Sequence, residues 1–417
     1  MKQKNWPIVS INTVCNLIVD CVNRTAPIEN KITPYRMIRT TDIRNDKLKF
    51  KDARYVNEDI YHKWTRRARV EHGDVLLTRE APIGEVCRIA NTGEHYFLGQ
   101  RIMQYRADNA KIDPLFLYYS FCSSFMKQQF LSHDGSGSVV SHIRVEDCHH
   151  FKIPIAPRKE QEKIGQLLAS IDNKIDLNRR TNETLEAMAR ALFRDWFVDF
   201  GPTRAKRAGE APYLAPELWE LFPERLDNEG KPEGWRIAFI DSLCRITSGK
   251  RPPNKETLSS EENPIPVYGG NGISWFTKDV LFDQPFLITG RVGTLGTVFR
   301  VNEKCWVSDN ALCLFPRIDS YFEYIYFIVS SINFQILNSG STQPLLTQSS
   351  LSSQECILPA EEIITIFHAQ VSVWFKIQQQ LEKETGTLSQ LRDLLLPKLM
   401  SGEISIRDAE KMVEDAA

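Results

Sequence analysis

Two apolar seams of equal period and equal length constrain this chain more than any other feature. In the first, Ile164, Leu168, Ile171, Ile175, Asn178, Asn182, Leu185, Ala189, Leu192 and Trp196 advance by alternating steps of 4 and 3. In the second, Ile363, Phe367, Gln370, Trp374, Ile377, Leu381, Glu384, Leu388, Leu391 and Leu395 do the same. Such steps keep one stripe of a helix facing a partner helix, which is the pattern of a coiled-coil seam. Asn178, Asn182 and Glu384 are polar seam positions of the kind that fix register at some cost in stability. The competing reading is two separate amphipathic helices, each packed on its own domain. Equal length, placement and period favour mutual pairing.

The segments before each seam repeat one order of events. "LLTREAPIGEVC" answers to "LITGRVGTLGTVF", "YFLGQRIMQYRA" to "CWVSDNALCLFPR", and the aromatic helix "DPLFLYYSFCSSFMKQQF" to "SYFEYIYFIVSSINFQIL". Small polar stretches follow, "DGSGSVVSHI" and "NSGSTQPLLTQ", then a strand reaching a proline. A fixed order of motifs met twice is the mark of a duplicated domain.

The repeat bears on Gly290, Gly293 and Gly296. A dinucleotide-binding loop needs a strand before its glycines and a helix after them, so that phosphate meets a helix N-terminus. Here "TVFRV" follows, β-branched and aromatic, and predicts a second strand. The counterpart in the first half keeps only Gly84. The glycines are better explained as a turn between strands. Arg291 and Arg79 then occupy corresponding turns.

Whole-chain charge decides little. The formal net charge is −1. From residue 24 to 106, however, there are 17 Lys/Arg against 11 Asp/Glu, and from 361 to the end 6 against 10. One region can face an anion while another faces a protein. The nine cysteines form no CxxC pair and no zinc-spaced cluster, which predicts a reducing, cytoplasmic setting with no metal. No signal peptide or membrane span is read from the sequence. Residues 201–232, rich in Pro, Gly and charge, read as a linker whose Tyr213, Trp219 and Phe222 dock in part.

Five segments together carry a family resemblance: "ALFRDWFVDFGPTRAK" (191–206), "KPEGWR" (231–236), "IPVYGGNGI" (265–273), "ITGRVGTLG" (288–296) and "LRDLLLPKLMSGEI" (391–404). With them the chain resembles the specificity subunits of type I restriction–modification enzymes over essentially its whole length. The resemblance implies an α+β protein with two similar α/β target-recognition domains separated by two long helices. Those helices would form an antiparallel coiled coil in a pseudo-two-fold arrangement. The expected divisions are a first recognition domain at 1–158, a spacer helix at 159–200, a linker at 201–232, a second domain at 233–359, a second spacer helix at 360–403 and a tail at 404–417.

The function implied is non-catalytic recognition of double-stranded DNA, each domain reading half of a bipartite site. A helix from Ile164 to Trp196 would be about 50 Å long, comparable with half-sites roughly 35 Å apart. Two modification (methyltransferase) subunits would dock on the helices, and restriction/motor subunits would join through the complex. The resemblance places S-adenosylmethionine, ATP and Mg on those partners and no cofactor on this chain. No NPPF-type tetrapeptide and no GxxxxGK[ST] loop occurs in the sequence. A coiled-coil scaffold, or a nucleotide-binding enzyme using the 290–296 loop, remain the alternatives.

Base edges are read by Arg, Asn, Gln, Ser and Thr, and phosphates by Lys and Arg. The candidates in the first domain are Arg36, Arg39, Thr40 and Arg44; Lys63, Arg66, Arg67 and Arg69; Arg79; and Ser136, Ser138, His142 and Arg144. A solvated basic face is the plain reading of residues 63–69. The second domain offers Lys250, Arg251, Tyr268, Asn271, Arg291, Asn310, Thr342 and Gln343. For Asn271 the plain reading is a left-handed turn residue. His149 and His150 lack a third ligand at useful spacing. Trp196, Phe197, Val198 and Phe200 are expected to pack the helix end onto its own domain rather than to form a docking patch.

Overall fold

The computed structural model describes residues 6–22, 24–132, 142–292, 295–337 and 345–415. These divide into two compact units, Met1–Arg179 with Glu382–Ala417, and Arg180–Leu381.

In the first unit β1 (Ile8–Ser10) pairs with β11 (Lys152–Pro154). A four-stranded sheet follows the order β2 (Cys15–Asp20), β10 (Ile102–Ala107), β7 (Val75–Arg79), β8 (Ile83–Arg88), antiparallel throughout. A three-stranded sheet has β3 (Tyr35–Ile38) at its centre, antiparallel to β6 (Arg54–Val56) and parallel to β9 (His95–Leu98). A short hairpin, β4 (Ile43–Arg44) and β5 (Lys47–Leu48), turns through Asn45 and Asp46 at φ of 52° and 59°. Both central residues at positive φ match the twist of a two-residue hairpin.

The strand β7 explains how this unit is layered. Its run "VLLTR" is apolar on both faces, as a strand covered from two sides must be. Val75 and Leu77 join the core formed with α2 (Pro114–Cys122) and α3 (Ser124–Leu131), while Leu76 faces Ile38, Tyr96 and Leu98. The aromatic segment expected as one helix is two. Asp113 caps the start of α2, accepting from the Leu115 and Phe116 amides at 3.0 Å. Ser123 then interrupts the helix, and its hydroxyl accepts from the Met126 amide to open α3. The remaining short helix, α1 (Glu58–Trp64), is capped by Asn57.

The second unit repeats this plan strand for strand. Here β12 (Arg236–Phe239) pairs with β20 (Glu355–Leu358). The four-stranded sheet runs β13 (Cys244–Ser248), β19 (Ala311–Pro316), β16 (Phe286–Gly290), β17 (Val298–Val301). The three-stranded sheet centres on β14 (Ile265–Gly269), antiparallel to β15 (Gly272–Thr277) and parallel to β18 (Trp306–Val307). Strand orders and senses are those of the first unit; the β4–β5 hairpin has no counterpart among the described residues. Leu287 of β16 faces α8 (Phe322–Ser331), and Phe286 and Ile288 face the opposite layer. Short helices α7 (Ile240–Leu243) and α9 (Gln348–Ser352) complete it.

The two long helices are α4 (Arg158–Phe197) and α10 (Glu361–Met400). Within the first unit they pair antiparallel: Arg392 Nη1 lies 3.1 Å from Asp172 Oδ1, and Asn178 Nδ2 donates to Glu384 Oε2 at 2.8 Å. Within the second they pair in the same sense, with Gln378 Nε2 donating to the Asn182 carbonyl at 2.8 Å and the rings of Phe193 and Trp196 packing at a tilt against Phe367. Ile164, Leu168, Ile171, Ile175 and Ala189 are buried as the seam requires, and Leu185 and Leu192 are half-buried.

The stripe on α10 differs from its expectation. Phe367, Leu388, Leu391 and Leu395 are buried and Trp374 and Leu381 half-buried, but Gln370 and Ile377 are exposed. Val371, Phe375 and Gln378 take their place. The cause is packing in a second direction. Phe375 meets Tyr326 and Phe327 of α8, and the Arg300 guanidinium lies 3.4 Å over its ring. A helix that must face both a partner helix and its own domain shifts its buried stripe towards the domain.

Residues 201–232 are more structured than a plain linker. They carry α5 (Gly201–Ala208) and α6 (Pro216–Leu221), and Lys206 donates to the Phe222 carbonyl at 2.7 Å. Trp219 and Phe222 are buried; Tyr213 is exposed but its hydroxyl donates to Asp195. Trp196, Phe197 and Phe200 belong to the same core, leaving Val198 exposed. The last residues form α11 (Ile406–Glu414), whose Ala409 is fully buried in the first unit's core.

Candidate nucleic-acid interface

In each unit the parallel strand pair and the end of the central strand bring three loops to one edge. The backbone hydrogen bonds that do this are the same twice. In the first unit Gly99 donates to the Ile38 carbonyl at 2.7 Å, Arg79 to the Arg101 carbonyl at 2.8 Å, and Ile143 to the Arg79 carbonyl at 3.0 Å. In the second, Ser308 donates to the Tyr268 carbonyl at 2.8 Å, Arg291 to the Asn310 carbonyl at 2.9 Å, and Leu346 to the Arg291 carbonyl at 2.8 Å. Arg79 therefore corresponds to Arg291, Arg101 to Asn310, and the loop after Ile38 to the "GGNG" loop after Tyr268. That last correspondence has no trace in the amino-acid types.

Close packing of backbones holds the second edge together. A Cβ on Gly270 would stand 2.9 Å from Gly290 Cα, and one on Gly249 only 2.2 Å from the Ser308 carbonyl oxygen. Lys250, exposed beside Arg251, is fixed through its own backbone: its amide donates to Val307 and its carbonyl accepts from Trp306 Nε1 at 2.7 Å. The edge thus gathers Lys250, Asn271, Arg291 and Asn310. Asn271 is exposed without the left-handed conformation expected of it; that conformation falls on Gly272, at φ 97°. Tyr268 is half-buried, its hydroxyl donating to Glu303 at 2.7 Å. Thr342 and Gln343 lie outside the described residues.

Strand β16 is followed by the antiparallel strand β17, with Gly296 before it at φ 101° and its counterpart Gly84 at 82°; Gly293 lies outside the described residues. A helix N-terminus to receive phosphate does not follow it.

The first edge is more heavily braced. Arg39 donates from Nη2 to Asp42 at 2.8 Å and to the Asp52 carbonyl at 2.7 Å; hydrogen bonding to Asp42 pushes its pKa up further. Arg44 donates to the Thr40 and Ile43 carbonyls, and Arg36 lies 3.5 Å over the Phe50 ring while pairing with Glu94. These three arginines shape the loop that carries the half-exposed Thr40. Lys63, Arg66 and Arg69 are exposed, whereas Arg67 is tied to Asp20 and the Cys21 carbonyl. Arg144 is exposed and His142 half-buried; Ser136 and Ser138 lie outside the described residues.

Arg79 donates from Nη1 to the Ile143 carbonyl at 2.9 Å. Its Nε and that of Arg291 are both buried without a hydrogen-bond partner. A buried donor without an acceptor costs free energy unless a ligand supplies one. Arg101, which does not stand out in the sequence, is half exposed, adopts a left-handed φ of 67° and pairs with Glu80. Aligning "LGQRI" with "VSDNA" is the signal that finds it, since that places it opposite Asn310. Among the described residues, no three His, Cys, Asp or Glu side chains converge as a metal site would require.

Duplicated α+β units, each ending in an edge built around an arginine and each incorporating part of a long helix pair, define a class of two-domain recognition proteins. The chain belongs to the family of the type I restriction modification DNA specificity domain, whose model matches residues 3–187 and 232–393. It is similar to the type I restriction enzyme HindI specificity subunit of Haemophilus influenzae, 24% identical over 405 residues, covering 80% of this chain and 87% of that one. It is also similar to the MjaIX specificity subunit of Methanocaldococcus jannaschii, 25% identical over 358 residues, covering 81% and 78%. The crystal structure of a type I restriction–modification S subunit from M. genitalium shares its fold, with a TM-score of 0.64 at 17% identity over 96% of this chain and 97% of that one. No described helix is long and apolar enough to cross a membrane.

Proposed function

We propose that this chain is the non-catalytic DNA-recognition subunit of a type I restriction–modification complex. Each unit reads one half of a bipartite, asymmetric site through the loops at its edge. The paired helices set the gap between the half-sites and dock two modification subunits. S-adenosylmethionine belongs to those subunits, and ATP and Mg to the restriction subunits that join them. The observation that carries the reading is the duplicated edge: one backbone frame built twice, each time around an arginine, Arg79 or Arg291, and furnished beside it with Arg101 in the first unit and with Asn271 and Asn310 in the second, side chains suited to phosphates and base edges.

The test is recovery of DNA from a randomised pool by the full chain co-expressed with its modification subunit. Two short defined blocks around a gap of constant length are expected. Affinity should fall steeply with salt as counterions are released. A contiguous motif would refute the two-reader arrangement. Absence of enrichment at low salt, with the complex intact, would favour a coiled-coil scaffold.

A further inference from the structure

The two edges share a backbone frame but differ at one position in a way that matters to DNA. Arg101 and Asn310 stand at the same point, each accepting through its carbonyl the amide of the corresponding arginine, Arg79 or Arg291. Both side chains are exposed. The flanking arginines are the same residue in both units and both keep a buried Nε without a partner. A residue shared by two readers cannot by itself make them read different bases; a residue that differs can.

Chemistry separates the two further. The guanidinium of arginine matches the O6 and N7 acceptors of guanine, and the amide of asparagine matches the N6 donor and N7 acceptor of adenine. Arg101 also holds an unfavourable backbone conformation for a side chain of its size, at φ 67°. Such strain persists where the surrounding structure imposes it, and concentrates at functional positions. Its ion pair with Glu80 keeps the guanidinium at the edge rather than free in solvent.

We propose that Arg101 and Asn310 are the equivalent specificity-determining positions of the two units, Arg101 selecting a guanine in one half-site and Asn310 an adenine in the other, while Arg79 and Arg291 make the sequence-independent phosphate contacts beside them. This rests on the DNA-recognition reading above and assigns labour within it.

The experiment exchanges the two residues in the full chain, bound to its modification subunit, and recovers the motif from a randomised pool. Asn310→Arg is expected to convert one adenine of its block to guanine, with a preference of about tenfold or more, and to leave the other block unchanged. Arg101→Asn is expected to do the reverse in the other block. Asparagine tolerates the left-handed conformation, so this variant should fold; thermal unfolding checks both. Asn310→Ala adds no bulk and should lose discrimination at the same base. Arg79→Ala and Arg291→Ala should weaken binding across all sequences and reduce its salt dependence without altering either block. Unchanged motifs in folded Arg101 and Asn310 variants, or weaker binding with the motif intact, overturn the assignment. If the unmodified chain returns no bipartite motif, it is the DNA-recognition reading that fails.

Discussion

The side-chain amide of Asn178 donates to the Glu384 carboxylate at 2.8 Å across the helix pair, and Lys174 holds the same carboxylate from 3.2 Å. Asn178 is 1% exposed, so its amide has no access to water if the carboxylate is removed. Glu384→Leu should therefore cost about 1–3 kcal/mol, the penalty of a buried unsatisfied group. Adding Asn178→Leu should recover most of that loss, since two apolar groups leave no buried polar atom of the pair unsatisfied and the Lys174 ammonium, 45% exposed, is solvated by water. Denaturant unfolding of the single and double variants tests the pair; equal losses that add would show that the two side chains do not depend on each other.

How much of this was legible in the sequence follows from the range of the interactions. The seam of α4 is local, set by residues three and four apart, and it forms on the residues whose spacing marks it. On α10 the same spacing points to Ile377, yet Phe375 and Gln378 are the buried residues, because Arg300, Tyr326 and Phe327 draw the helix face towards them. Those partners lie some fifty to eighty positions away, beyond any periodicity. The candidate edges divide likewise. Gly290, Arg291 and their first-unit counterpart Arg79 are visible as a repeated turn. The pairing of β10 with β7 carries Arg101 to that turn, and the parallel pairing of β3 with β9 brings the loop after Ile38 beside it; both join segments with no local signal between them.

Burial controls five thiols in particular. It pushes Cys15, Cys148, Cys244 and Cys305 up to about 12, and Cys356 to about 11, with Asp108 adding to the effect at Cys15. The thiolate is the reactive form. At pH 8 these five thiols should react with a thiol reagent slower by about a hundredfold or more in the native protein than in the unfolded chain. Cys15, the least buried of the nine, should be modified first. Rapid stoichiometric labelling of the native chain, read by mass spectrometry, would contradict this.

Glu323 on α8 is 4% exposed and contacts His368 on α10. Burial raises its carboxyl pKa, and the hydrogen bond to His368 opposes that shift without cancelling it. A carboxyl whose folded pKa is raised binds its proton more tightly in the native state. Its contribution to stability is then full below the unfolded value of about 4.5 and is lost as pH rises through the folded value. Relative to Glu323→Gln, the native chain should lose stability progressively from about pH 4.5 upward. Denaturant midpoints of both proteins across pH 4 to 7 measure the difference, and a constant gap at every pH would refute the linkage.

Glycines at three positions should answer in opposite directions when changed to alanine. Gly386 lies in α10 with nothing within 4 Å of an added Cβ. Gly386→Ala should stabilise by about 0.5–1 kcal/mol, because alanine loses less backbone entropy in a helix. Gly270 and Gly249 instead face backbone atoms, Gly290 Cα and the Ser308 carbonyl, which cannot swing aside as a side chain does. Gly270→Ala should cost about 1–3 kcal/mol through the displaced turn, and Gly249→Ala, whose clash is closer, should cost more. Both also displace Lys250, Asn271, Arg291 or Asn310, so the block read by the second unit should degrade while the other block survives. Thermal unfolding ranks the three variants, and motif recovery from a randomised pool separates a general loss of folding from loss at one edge: equal damage to both blocks would mean that these glycines support stability alone.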